Sequence, residues 1–543
     1  MYLNLILLCT LGAAGDPHGK PVAQKPAVLM EGLGSYHHPV STANREAQRF
    51  FDQGLTLLYA FNHDEAARSF RRAADLDPKL AMAWWGVALA QGPNYNLPEV
   101  DAEQTKAAYA ALQKALRLAE GAPEHERGYV DALAARYSAE PKPDGKKLLQ
   151  AYAEAMRKLS QRYPDDLDAA TLYAESAMNL RPWKLWSPDG KPVEGTEEIV
   201  RVLESVLRRC PDHPGANHYY IHAIEASPHP ERALPSAGRL VALVPAAGHI
   251  VHMPAHIYMR VGDYAAAARS NEKAIEVDRA YLKSSGAKGI YPMMYFSHNI
   301  HFLAVARATQ GRFGDAKKAA DDLTAHVGPH VKDMPMLEGF LPTSAFVLVR
   351  FRRWQDVLAT PRPNANLPTT TAVWHFARAV AYAAQGKIED AEKEEKAFLA
   401  ARDALPAEAM YSSWNTARSV LDVAKDVLGA RIAMSRKNPK RAIEMLRRAV
   451  DAEDALAYGE PPDWFLPVRE TLGAVLLQSG DAALAEKVFR ADLARHRLSG
   501  RSLFGLAASL KAQKKDHDAR MVQLEFERAW RNADPQPLDI EDL

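Results

Sequence analysis

The chain is 543 residues long, 47% hydrophobic and 25% charged, which leaves room for several ordinary domains or one long repeat array with an ample core. Its 68 Lys and Arg stand against 67 Asp and Glu. That balance supplies no global field for nucleic acid or an anionic membrane, so neither is an expected partner.

Residues 2–14, YLNLILLCTLGAA, form a short apolar run ending in small residues. The run reads as the hydrophobic region and cleavage site of a secretory signal over 1–15, although the usual basic start is missing. It is too short for a comfortable membrane span, and the expected location is periplasmic or secreted. A lipid anchor at Cys9 is the weaker alternative, because bulky Leu8 precedes the cysteine; it would suit an outer-membrane assembly factor. With the signal removed, Cys210 is the one thiol left, and the fold must hold by packing without an internal disulfide.

A Pro-containing polar leader covers 16–46. From 47 the sequence reads AQRFFDQGLTLLYAFNHDEAARSFRRAADLDP, with Phe50, Gly54, Ala66, Phe70, Ala73 and Pro78 spaced for two antiparallel helices. Small residues let the helices approach, aromatics fill the gap and proline ends the second helix. The next block starts at Ala81 with Trp84 and Ala88 in register. This pattern resembles the tetratricopeptide repeat family, whose unit is about 34 residues.

The frame returns at 214–247 and 248–281, the latter with Gly262-Asp263-Tyr264, Ala267 and Ala274. It returns from Ser297 (Gly311, Ala316, Ala320), from Ala372 (Gly386, Ala391), from Leu466 (Gly473, Gly480, Ala485, Phe489) and over 499–531 with Gly505. Between 101 and 210 the helices persist with a degraded signature. Loops rich in Pro and Gly at 140–145, 187–195 and 361–368 separate blocks, 282–296 is an insertion, and no alternating β pattern is found. The expected organisation is repeats over 47–210, histidine-rich repeats over 211–335, further repeats over 336–531, and a tail at 532–543. The resemblance implies an all-α, right-handed superhelical solenoid whose concave groove is lined by the second, fifth, ninth, twelfth and thirteenth residues of each repeat.

The stretch 213–256 carries the candidate chemistry. His218 and His222 lie four apart, and His252 and His256 repeat that spacing 34 residues further on, from 218 to 252. Residues four apart share a helix face, so each pair can present two imidazoles to one point. In the repeat frame His218, His222, His249, His252, His256, His298 and His301 all take groove positions. Random placement of the 19 histidines would put about one or fewer there.

Neutral imidazole suits zinc, copper, iron or nickel. His218, His222, His252, His256 and His301 are the candidate metal ligands, for copper or zinc ahead of iron. Met253, Met259, Met293 and Met294 favour copper slightly, though methionine is more often core filler. Glu225 is a candidate ligand, orienting carboxylate or base, and Glu470, inward in its own repeat, a second proton-moving group. His249, His298 and Arg260 are candidate ligand-binding residues. So are His37 and His38 in the leader, and Trp464 and Arg469 beside the stiff loop Tyr458–Asp463.

Two functions compete. One is an exported protein whose groove binds a transition metal or small polar ligand, with metal-dependent catalysis as an extension of it. The other is a metal-free scaffold that holds a peptide or protein partner, in which the histidines are hydrogen-bonding contacts; any one of them alone also reads as a half-buried side chain with one satisfied hydrogen bond.

Overall fold

The computed structural model describes residues 27–140, 143–535 and 538–543; the signal-like run and Cys9 lie outside them. The described residues contain no strand, only three isolated bridges. The protein is all-α, built from successive antiparallel helix pairs such as Arg45–Tyr59 with His63–Leu76 and Val468–Gln478 with Ala482–Arg495. No helix among the described residues is long and apolar enough to cross a membrane.

The pairs form for local reasons. Asn44, Asn62, Asp101, Asp144 and Asp166 each accept a backbone N–H from the first turn of the helix that follows, which relieves donors the helix cannot satisfy. The turns between paired helices close on one residue in the left-handed region, including Gly262, Gly311, Gly386 and Gly480. That conformation caps a helix C-terminus and costs glycine nothing. Phe61 takes it with φ 56°, a strained choice for an aromatic residue.

The chain divides into two compact units, Met1–Pro254 with Glu276–Pro292, and Ala255–Ile275 with Met293–Leu543. In the first, Phe51, Phe70, Trp85 and Tyr129 form a buried aromatic core. A Cβ added at Gly54 or Gly86 would strike the Phe70 ring, which is the close approach that the small-residue spacing predicts. The second unit repeats the device: Gly473 and Gly505 both press on Phe489.

One expected helix is interrupted. The segment that places His252 and His256 on a common face is divided into Gly248–His252 and Pro254–Val261. Pro254 has no N–H to give the carbonyl four residues back, so the ladder cannot run through it. The i, i+4 spacing therefore lies within one helix for His218 and His222, in Pro214–Ile224, and runs across the break for His252 and His256.

Candidate functional site

In the first unit, three imidazoles converge. His218 and His222 point from Pro214–Ile224 and His249 from Gly248–His252, and one ring nitrogen of each lies within 4.8 Å of the others. All three side chains are buried. His218 Nδ1 sits 2.5 Å from the Tyr59 carbonyl oxygen. A carbonyl only accepts, so Nδ1 carries the proton and Nε2 is the lone-pair atom. His222 Nδ1 lies 2.8 Å from Glu225 Oε1, which sets the same tautomer when the carboxylate is ionised. Of the three roles open to Glu225 on sequence, this geometry matches the orienting carboxylate.

Tetrahedral zinc bonds of about 2.05 Å place ligand nitrogens roughly 3.3 Å apart, so rings already within 4.8 Å of one another need a modest closure to hold one ion. The donor set is three neutral imidazoles with hydrogen bonds fixing two of them, which fits zinc or copper better than a hard cation. Around them stand aromatic rings. Phe61 stacks on His222 and His249, with ring centroids 5.7 and 5.3 Å apart, and tilts over His218 at 4.5 Å. Tyr95 and Trp183 lie 5.2 and 5.5 Å from His222. The strained backbone at Phe61 thus delivers the ring that all three histidines share. His63, a surface or capping residue by its place in the turn, stacks on Phe61 at 5.5 Å, and burial, with Arg136 nearby, pushes its pKa down to about 4.

Of the other predicted residues in this unit, His252 lies 5.8 Å from His249, ring to ring. His37 is exposed and bonds Asp52 at 2.9 Å. His38 points away from the three histidines to Asp168, 2.7 Å off. Asp168 also accepts from Tyr36 at 2.8 Å and from Tyr59, with His213 at 3.4 Å. Burial alone would raise the Asp168 pKa, but bonds from His213 and His38 hold it well below the carboxylate range. Burial lowers His38 in turn, and the Asp168 bond more than restores it. Asp166, close to both groups, caps its helix and takes the Tyr129 hydroxyl at 2.8 Å. Through Asp168, His38 ties the leader to the repeats.

The second unit holds the remaining predicted residues. His256 and His298 stand 5.7 Å apart beside Phe302. His301 faces Phe340 at 5.6 Å, and burial pushes its pKa down to about 4. Arg260 lies over Tyr458. Trp464, proposed as a ligand contact, packs between Phe346 and Phe376 at 5.4 and 5.6 Å; it is 2% exposed and belongs to the core. Arg469 is spent on Asp454, with bonds of 2.7 and 2.6 Å. Glu470 does look inward, where Arg350 and Arg501 hold it at 3.1 and 2.9 Å. These partners place it in an arginine cluster.

That cluster includes a feature that sequence reasoning missed. Residues 538–543 fold into the same groove: Arg352 bonds Asp542 at 2.6 Å, and Arg431 and Thr471 donate to the Leu543 oxygen at 2.9 and 3.0 Å. Arg501 donates to the Asp542 carbonyl. Beside the segment is a cavity of about 370 Å³. Burial and the neighbouring Arg501 and Arg352 charges push Arg431 down to about 10. In the first unit the missed residues are Phe61 and Trp183. Asn94-Tyr95-Asn96 reads from its composition as a polar loop, either a ligand contact or more often a plain turn, and packing brings Tyr95 to His222.

The class of protein is thus an all-α helical-repeat protein with two differently furnished units. No protein-family model matches the chain, and no curated protein matches it. Among solved structures, it is similar to the human IFIT1 dimer with m7Gppp-AAAA, at 15% identity over 91% of both chains with a TM-score of 0.35. Yeast Tom70 matches at 12% identity over 88% of this chain and 90% of that one, TM-score 0.32. The TPR domain of P58(IPK) matches at 11% identity over 86% and 98%, TM-score 0.22. Likeness at this level concerns helical-repeat architecture and leaves each neighbour's ligand with that neighbour.

Proposed function

We propose that this is a helical-repeat binding protein whose first unit holds a transition-metal ion, zinc or copper, between His218, His222 and His249. The observation that carries the reading is the convergence of these three buried rings with Nδ1 of two of them committed to Tyr59 and Glu225. Structural histidines gain nothing from being turned to a common point, and protonated rings at that spacing would repel. A bound ion would supply Lewis acidity toward water or dioxygen. The chain's own part is to orient His222 through Glu225, hold His218 on a backbone carbonyl, and exclude water with Phe61, Tyr95 and Trp183.

Metal analysis of protein purified without a histidine tag tests this: one ion per chain is expected, lost in His218→Ala and His222→Ala. Metal-free protein that takes up neither zinc nor copper on titration would sink the reading. Export belongs to the same proposal, and mass spectrometry of the mature amino terminus checks it.

A second reading, a metal-free scaffold for a peptide or protein partner, has its own support in the second unit. There the segment 538–543 lies in the groove as a short acidic peptide would, held through Asp542 and backbone oxygens by arginines. Both readings can be true of one chain, since they use different units.

A further inference from the structure

Outside the histidine group, the first unit buries a second set of polar groups that the metal reading does not use. Arg136, on the turn after Glu124–Ala134, is 4% exposed, and its Nε and Nη2 meet no hydrogen-bond partner. The Tyr152 ring lies under the guanidinium, 5.1 Å from its carbon to the ring centroid, and the Tyr152 hydroxyl is buried without a partner too. Glu175 gives one oxygen to Asn179 at 2.5 Å and leaves Oε2 open. Buried guanidinium donors left unmet are costly, which implies that something in solution meets them.

Which donors are open identifies the chemistry. Nε and Nη2 lie along one edge of the guanidinium, and that edge matches two oxygens of one planar group side-on. We propose that Arg136 is the anchor for the carboxylate of a small ligand, with the Tyr152 hydroxyl as an additional donor. A phosphate dianion fits less well: a single buried cation would leave it half neutralised beside Glu175. Burial pushes the Glu175 pKa up, with Arg136 and Asn179 opposing.

The subsite borders the metal group. A Cβ at Gly92 would meet the Tyr137 hydroxyl and the Arg136 guanidinium carbon, the latter at 3.1 Å. Three residues on, the same loop carries Tyr95 to His222. This loop thus links Arg136 to the ring that packs on His222. The anchor itself requires no ion.

Sodium acetate is the probe, used on the full chain stripped of metal by a chelator and followed by saturation-transfer NMR and calorimetry. Saturable acetate binding is expected, at least tenfold weaker in Arg136→Gln and severalfold weaker in Tyr152→Phe, with inorganic phosphate binding less well than acetate. Tyr152→Phe removes one hydroxyl and keeps the packing, so the inference stays testable if Arg136→Gln fails to fold. Zinc titration of the same wild-type sample reports the metal site separately. Acetate binding that is absent, or unchanged in Tyr152→Phe, overturns the assignment, as does a crystal structure in which ordered water alone satisfies Arg136.

Discussion

The two units are made of the same helix pairs but line their interiors with opposite chemistry. In the first, buried histidines and aromatic rings meet, and the buried carboxylate of Asp168 is matched by His38 and His213. In the second, Arg350, Arg352, Arg431 and Arg501 crowd around Glu470 and Asp542. The repeat scaffold tolerates both because the small and aromatic positions that hold helices together are separate from the positions that face inward. What each interior offers is set by its inward positions: imidazoles and aromatic rings in one, arginine side chains around an acidic segment in the other.

The contrast can be broken first at Asp168. Asp168→Asn leaves buried His38 and His213 without their anion, and the first unit should lose about 3–5 kcal/mol in urea unfolding. The pH dependence follows from the two shifts. Asp168, held low by its partners, contributes above the ordinary carboxylate pKa, and the contribution is lost as pH falls through its folded value. His38, held high, contributes fully below about pH 6.5, and its share is lost as pH rises through its own folded value. The gap between wild type and Asp168→Asn should therefore narrow as the pH is taken from 6 to 9, and a constant gap would show that the pair is not ionic.

Next in size is the metal group. His218→Ala or His222→Ala should weaken zinc binding by at least about 100-fold, near 2.7 kcal/mol, measured against a competing chelator. Glu225→Gln keeps the ring but weakens its orienting bond, and about tenfold is expected. Equal affinity in Glu225→Gln and wild type would mean that His222 is positioned by packing with Phe61, Tyr95 and Trp183. In the second unit, Asp542→Asn should loosen residues 538–543 by about 1 kcal/mol or less, because the Arg352 pair is partly exposed; hydrogen exchange at those amides is the readout. Smallest is His37→Ala. Its side chain is 56% exposed, and a change within about 0.5 kcal/mol is expected.

The repeat spacing made the helix pairs and their tight contacts legible: Gly54 and Phe70, Gly473 and Phe489 pack as their intervals require. The histidine set was legible too, with His218 and His222 on one continuous helix. The stiff loop from Tyr458 and the segment after it suggested Trp464 and Arg469 as ligand contacts, whereas Trp464 packs between aromatic rings and Arg469 is paired with Asp454. A frame position says which way a side chain sets out from its helix. It does not say what that side chain meets.

Local physics therefore determined, from sequence alone, where helices start, which residues press together within a hairpin, and which imidazoles share a face. Tertiary structure decided the rest. The Tyr59 carbonyl on His218, the Phe61 ring over three histidines, the open edge of Arg136 and the segment 538–543 among arginines all depend on contacts between residues far apart in the chain. Helix periodicity repeats every few residues and carries no information about such partners.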